Sequence, residues 1–270
     1  MINSNTSLYA VIGNPVFHSM SPVMHNSAFQ YVGYDGVYTA FTVTDIESAV
    51  TGIRALGIRG VSVTIPHKVS VMKYLDDVDC AARAIGAVNT IINRDQMLIG
   101  YNSDGLGAVR ALEEHTSLRG KTVAILGAGG SARAIGHAVM AEGGHVTLFN
   151  RTAEAGKKLA ADMGADFCPL SDNRRLNCQV LINTTPVGMM PKTEAMPIRA
   201  QWLEKDMIVM DIVYHPLKTR LLREAQRRGC ITIDGLSMFV CQGAFQFELW
   251  TGKKAPVEVM RKAVLQELTS

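Results

Sequence analysis

Three groups of residues in this chain have types and spacings suited to chemistry. The first is Gly127-Ala128-Gly129-Gly130-Ser131-Ala132-Arg133, set between the apolar run Thr122–Leu126 and a stretch of helical period. Gly127 permits a tight turn, and Gly129 lets the backbone approach a diphosphate. The helix behind them offers free N–H donors and a positive dipole end. Ala132 replaces the third glycine of the usual dinucleotide fingerprint and is small enough for close helix–strand packing. The second group tests the first. Proteins that prefer NAD end the next strand with a carboxylate for the ribose 2′-hydroxyl. Here that strand ends Phe149-Asn150-Arg151-Thr152, with Lys157 and Lys158 close behind and no acid. A guanidinium fits a 2′-phosphate, so the pair of motifs reads as an NADP site. Arg151 taken alone reads equally well as a solvated loop arginine.

The third group lies in the first half. Ser19 and Ser21, in His18-Ser19-Met20-Ser21-Pro22, offer hydroxyl donors suited to a carboxylate, or serve as helix caps. Thr64-Ile65-Pro66-His67-Lys68 ends a strand with a lysine just beyond it. Gly86-Ala87-Val88-Asn89-Thr90 opens another strand with an amide, and Asn102-Ser103-Asp104-Gly105 sets an amide beside an acid. The seven histidines make no HxH or HExxH spacing, so no metal site is expected, and His18, His25 and His67 read singly as structural.

These residues need elements to position them. Leu8–Ile12, Val37–Val43, Gly60–Ile65 and Asn89–Ile92 read as strands, and Met97–Tyr101 pairs with the last as a hairpin around Asn93-Arg94-Asp95-Gln96. Ser21–Tyr31 and Asp45–Leu56 read as helices, with Ser21 and Asp45 as caps and Pro22 at the first helical position. From Lys121 onward, five apolar runs (Thr122–Leu126, His145–Asn150, Val180–Asn183, Met207–Ile212, Ile231–Ile233) are interleaved with helical stretches at Ser131–Glu142, Ala153–Met163 and Leu217–Arg228. Near-continuous apolar strands of this kind imply a parallel sheet covered on both faces. Two more helices, Ser237–Trp250 and Pro256–Leu268, end the chain, and the domain junction is expected near Asn102–Leu106.

Composition bounds the rest. The chain has 270 residues, 47% hydrophobic and 19% charged, enough for a large core in one or two domains. A net charge of +3 gives no reason to expect a nucleic-acid partner, and no apolar run has the length of a membrane span. Met1–Ser7 lacks the basic and apolar regions of a secretion signal. The five cysteines (Cys80, Cys168, Cys178, Cys230, Cys241) are odd in number and widely spaced, against a disulfide framework and for a reducing, cytoplasmic compartment.

Taken together, the motifs resemble the shikimate dehydrogenase family. The resemblance rests on Gly13-Asn14-Pro15, His18–Pro22, Val63–Lys68, Gly86–Thr90, Tyr101–Gly105, Gly127–Gly130, Asn150–Thr152, Asn183–Pro186, Asp234–Leu236 and Met238–Gln242, in family order across nearly the whole chain. It implies an α/β substrate domain at 1–104 and a Rossmann-type, doubly wound NADP domain at 105–236. Helices at 237–270 would return to the substrate domain. It also implies the reversible, NADPH-dependent reduction of 3-dehydroshikimate to shikimate, a small-molecule substrate, and allows a homodimer. Residue by residue, it implies that Lys68 is catalytic with Asp104 as partner. Ser19 and Ser21, helped by Tyr214, would take the substrate carboxylate. Thr64, Asn89 and Gln242 would hold ring hydroxyls together with Lys68 and Asp104. Gly127, Ala128, Gly129, Gly130 and Arg151 would hold NADP, with Asn150 and Thr152 beside the adenosine phosphate and Gly235 near the nicotinamide. This sequence departs from the family pattern at Ser62, often Asn, at Ser103, usually Thr, and in having Lys157 where a second arginine is usual.

The implied chemistry suits these groups. Hydride delivery to a ketone builds negative charge on oxygen, which must receive a proton at the same site. A lysine can supply it, because a neighbouring carboxylate raises its pKa and orients its head while burial lowers it. A surface lysine with a snorkelling stem is the alternative for Lys68. Two other functions stay open at this point: a quinate or aminoshikimate dehydrogenase, and an NADP-binding regulatory module without turnover.

Overall fold

A computed structural model gives the fold and describes residues 2–172 and 176–269, so Met1 and Ser270, the outer limits of the expected domains, lie outside the described residues. The strands are β1 (Ser7–Gly13), β2 (Gly36–Thr42), β3 (Gly60–Val63), β4 (Asp77–Val78), β5 (Thr90–Arg94), β6 (Met97–Tyr101), β7 (Thr122–Leu126), β8 (His145–Asn150), β9 (Asp166–Pro169), β10 (Val180–Asn183), β11 (Ile208–Asp211) and β12 (Ile231–Ile233). The helices are α1 (Ser21–Tyr31), α2 (Ile46–Ala55), α3 (Cys80–Ile85), α4 (Ser103–Glu113), α5 (Gly130–Ala141), α6 (Ala153–Met163), α7 (Arg220–Arg227), α8 (Gly235–Thr251) and α9 (Val257–Thr269). The chain divides into two compact units, Met1–Ser103 with Val240–Ser270, and Asp104–Phe239. The divisions fall one residue before the expected 104/105 boundary and three after the expected 236/237 boundary. The second lies inside α8, where no break in pattern marks it.

In the first unit the sheet order is β2-β1-β3-β5-β6-β4. β1 pairs parallel with β2 and β3, whereas β5 is antiparallel to both β3 and β6. Ile12, Val61, Val63, Ile91 and Leu98 meet Val50 and Ile53 of α2 in one core. Asp45 caps α2 as expected, accepting from the N–H groups of Glu47 and Ser48. Ser21 does not cap α1. Met20 holds the cap position without a side-chain bond, and Ser21 is already helical. Pro22 then occupies the second helical position, so one of the two N–H groups a capping side chain normally receives is missing. β3 stops at Val63 rather than Ile65, because Pro66 has no N–H and Ile65 precedes it. The hairpin turn is tighter than expected. Arg94 pairs with Met97, and Asp95 and Gln96 alone make the turn, at φ 50° and 72°.

The second unit holds the expected parallel sheet, in the order β12-β11-β10-β7-β8-β9. β7, β10 and β11 are buried on both faces, and Ala124, Leu126, Leu181 and Val209 pack with Leu221, Leu222 and Ala225 of α7. The sheet has a sixth strand, the edge strand β9, which lacks an apolar run and ends in Pro169. α4 stands where the sequence suggested only a junction. α7 starts three residues later than expected, because Thr219 caps it by accepting from Leu222 N–H.

Candidate active site

In the first unit, β1 and β3 end side by side, and their ladder continues past the strands: Thr64 N–H donates to Ile12 at 2.9 Å, and Asn14 N–H to Ile65 at 2.9 Å. This sets Thr64, half-buried, against Gly13. Lys68 follows one turn later, also half-buried, its carbonyl accepting from Val88 N–H at 2.8 Å next to Asn89. Ser19 Oγ accepts from Ser21 N–H at 3.3 Å at the start of α1, with Ser21 buried and Ser19 half-buried.

Asn89 and Gln242 come from β5's leading edge and from α8, and both are buried. Ser103 joins them: its N–H donates to Asn89 Oδ1 at 2.7 Å, and its hydroxyl lies 3.1 Å from Gln242 Oε1. The backbone donor fixes Asn89 with its oxygen toward Ser103, so the amide nitrogen is the end turned away. Behind this pair runs a row of buried polar groups. Tyr38 hydroxyl donates to Ser62 Oγ at 2.7 Å, Ser62 to Gln246 Oε1 at 2.9 Å, Gln246 Nε2 to Thr90 Oγ1 at 2.8 Å, and Thr90 to Asn89 Oδ1 at 2.8 Å. Gln246 Nε2 also lies 3.5 Å from the Asn89 carbonyl, a pure acceptor, which sets the orientation of its amide. Sequence reasoning did not assign a role to Tyr38, Ser62, Thr90, Ser103 or Gln246. The one available signal was Gln246 four residues after Gln242, on the same face of an otherwise apolar helix.

In the second unit, Gly127 turns the chain out of β7 at φ 116°, and a β-carbon there would sit 2.6 Å from Thr184 Oγ1. Gly127 N–H donates to Phe149 of β8 at 2.8 Å. Ala128 follows, half-buried, and Gly129 takes the cap position of α5 without a side-chain bond. Around the β-carbon positions of Gly129 and Gly130 there is open space. The first N–H groups of α5 therefore face an uncrowded backbone cradle, which is what a diphosphate requires. Beyond β8, Asn150 Nδ2 donates to the Thr152 carbonyl at 2.9 Å, shaping the turn that carries Arg151. Arg151 and Thr152 are exposed, and Arg151 has no hydrogen-bond or ion-pair partner among the described residues. This residue set fits NADP: a backbone cradle for the diphosphate and a guanidinium with spare donors for a 2′-phosphate.

Asp104 lies half-buried in the first turn of α4. Tyr214, half-buried beyond β11, stacks on Phe239 with centroids 5.4 Å apart, and burial raises its phenol pKa. Gly235 opens α8 where a β-carbon would lie 2.5 Å from the Ile212 carbonyl. Asp234 Oδ1 accepts from Ser237 N–H at 2.8 Å beside it.

An open parallel sheet with a glycine turn after its first strand, a basic rather than acidic end to the next strand, and a separate α/β unit lined by ordered amides define a two-domain, dinucleotide-dependent dehydrogenase. Comparisons with known proteins give the particular lineage. Residues 11–91 match the shikimate dehydrogenase substrate binding domain, residues 109–214 the shikimate/quinate 5-dehydrogenase model, and residues 235–265 the shikimate 5′-dehydrogenase C-terminal domain. A shikimate dehydrogenase (NADP(+)) of Bacillus cereus (strain B4264) is 44% identical over 273 residues, covering 97% of this chain and 98% of the relative. A crystal structure of a shikimate dehydrogenase in complex with NADP+ matches with a TM-score of 0.96 at 42% identity, covering 100% of this chain and 98% of that one. The shikimate 5-dehydrogenase of Thermus thermophilus in complex with NADP(H) and shikimate matches with a TM-score of 0.90 at 36% identity, covering 97% of this chain and 99% of that one. The chain belongs to the shikimate dehydrogenase family. No helix among the described residues is long and apolar enough to cross a membrane.

Proposed function

We propose that the protein interconverts 3-dehydroshikimate and shikimate with NADP(H), using Lys68 and Asp104 for proton transfer. The protein is an oxidoreductase of the NADP-dependent shikimate dehydrogenase type, and its substrate is a small molecule. The observation that carries the assignment of the polar face is that Ser103 orders Asn89 and Gln242 together, giving two fixed amides suited to a polyhydroxylated ring.

Bound NADPH supplies the hydride. Gly127, Ala128, Gly129 and Gly130 would hold its diphosphate, Arg151 its 2′-phosphate with Asn150 and Thr152 alongside, and Gly235 would border the nicotinamide. Ser19, Ser21 and Tyr214 bind the substrate carboxylate, and Thr64, Asn89 and Gln242 bind ring hydroxyls. Lys68 gives a proton to the carbonyl oxygen in reduction and takes it back in oxidation. Asp104 orients the ammonium head and keeps it charged. The substrate face is assigned to 1–104, cofactor binding to 105–236, and the helices of 237–270 to completing the substrate face.

The protein is further proposed to be a cytoplasmic homodimer. The odd number and wide spacing of the five cysteines support the compartment, and the resemblance alone supports the dimer, which sedimentation velocity would check. The regulatory-module reading is set aside, because the curated relatives are dehydrogenases. Initial rates with shikimate and with quinate, each with NADP and NAD, test the assignment. Shikimate with NADP should be turned over fastest. Faster turnover of quinate would shift the substrate, and equal use of NAD would remove the role of Arg151.

A further inference from the structure

Asp211, the last residue of β11, is a carboxylate with no exposed surface. Nothing in the reaction uses it, and a buried charge contributes little net stability compared with a well-packed apolar side chain. Its partners explain its presence better than packing does. Asp211 Oδ1 accepts from Asn183 Nδ2 at 2.9 Å and from Val213 N–H at 3.1 Å, while Oδ2 accepts from Thr219 Oγ1 at 2.7 Å. The donors come from two stretches of backbone at the carboxyl end of the sheet: Asn183 from the end of β10, and Val213 and Thr219 from the two ends of the 212–219 loop. Asn183 ends β10 and in turn accepts from Thr185 N–H and Oγ1, at 3.1 and 2.7 Å. Between them, Thr184 Oγ1 donates to Leu126 at 2.6 Å, and it is the group against which Gly127 is packed. Val213 follows Ile212, whose carbonyl is the group against which Gly235 is packed, and precedes Tyr214. Thr219 closes the loop that carries Tyr214 and caps α7. Burial raises the carboxyl to about 6, and the three donors oppose that rise.

We propose that Asp211 is a positioning residue that ties the 183–185 turn, the 212–219 loop and, through them, Gly127 and Gly235 into one rigid frame around the nicotinamide and diphosphate end of the cofactor. The proposal rests on the reading of Gly127 and Gly235 as cofactor residues. It predicts a split that general destabilisation would not produce. The adenosine end of the cofactor, read at Asn150–Thr152, lies on β8 and α6, which no Asp211 hydrogen bond reaches.

The test is calorimetric titration of folded wild-type protein and Asp211→Asn with NADPH and with adenosine 2′,5′-bisphosphate. Asparagine keeps the shape but puts an amide donor in place of one of the two carboxylate oxygens that now accept. The NADPH dissociation constant should rise roughly tenfold, as expected when a buried hydrogen bond loses its acceptor, with the bisphosphate constant unchanged. Thr219→Val, which removes one donor to Asp211 together with the cap of α7, should show the same split at smaller size and serves if Asp211→Asn does not fold. Equal weakening of both ligands, or no weakening of NADPH in either variant, overturns the positioning role. Failure of the wild-type protein to bind NADPH would instead remove the cofactor reading on which the proposal stands.

Discussion

The two units hold polar ligand groups in different ways. At the glycine turn of the second unit, the groups proposed to meet a ligand are backbone N–H donors at the end of a helix, made available by residues without side chains. At the polar face of the first unit they are side-chain amides and hydroxyls, held by a buried row running from Tyr38 through Ser62, Gln246 and Thr90 to Asn89, with Ser103 and Gln242 beside it. A backbone cradle recognises a charge that every dinucleotide carries. Ordered side chains recognise one pattern of donors and acceptors, and each of them depends on the next being in place. Selectivity for a particular ring is therefore expected to reside in the first unit, and the choice between cofactors in the exposed Arg151 of the second.

The largest effect is expected at Lys68, the proposed proton-transfer group. Lys68→Ala should lower kcat by about 10²–10⁴-fold, the usual contribution of a positioned acid–base group, with a much smaller change in the substrate Michaelis constant. Steady-state kinetics on a variant shown to be folded and to bind NADPH checks this, and combination with Asp104→Ala should be less than additive. A folded variant with wild-type kcat would pass the role to His67 or to water.

At the cofactor rim, Arg151→Ala should cost about 1.5–3 kcal/mol of NADP affinity, the worth of a charge-assisted contact. NAD kinetics should stay as they are. If NADP and NAD weaken together, Arg151 is supporting the turn rather than reading the phosphate.

The core of the first unit supplies a pH test. His25 is fully buried and stacked on Tyr38 with centroids 4.6 Å apart, and burial lowers its pKa to about 3. Because the folded value lies below the unfolded one, the unfolded chain binds the proton first as pH falls below about 6.5. Stability contributed at neutral pH should thus be lost on acidification, about 2 kcal/mol of it by pH 5. Urea unfolding of His25→Phe, which cannot titrate there, should show a flatter dependence between pH 7 and 5.

The smallest effect is expected in the buried polar row of the first unit. Gln246→Leu takes from the buried Ser62 hydroxyl its acceptor and from Thr90 its donor, and should cost about 1–2 kcal/mol in stability. It should also raise the shikimate Michaelis constant while leaving that for NADP unchanged, because Asn89 loses its ordered neighbour. An equal rise in both would mean that the row supports the fold and has no part in the pocket.

Legibility in the sequence followed the same division. The glycine turn, Arg151 and five of the six strands of the second sheet (β7, β8, β10, β11 and β12) are local patterns: each is set by neighbours in the chain, through φ preference, an apolar run, or the absence of an acid. β9 escaped because an edge strand needs no continuous apolar run, and α4 because its first residues also serve as a polar motif. The tight Asp95-Gln96 turn escaped because neither residue is a glycine or asparagine.

Order and type of residues thus determined the α/β class, the parallel sheet, the dinucleotide turn and the family motifs, since those depend on periodicity and on backbone freedom at single positions. Only the tertiary structure decided which polar groups satisfy one another. Gln246 and Asp211 carry no local signature; their meaning comes from Ser62 and Thr90 on two strands, and from Asn183 at the end of β10 with Val213 and Thr219 of the 212–219 loop. A buried donor must find an acceptor wherever the fold brings one, and that pairing is a property of three-dimensional proximity rather than of spacing along the chain.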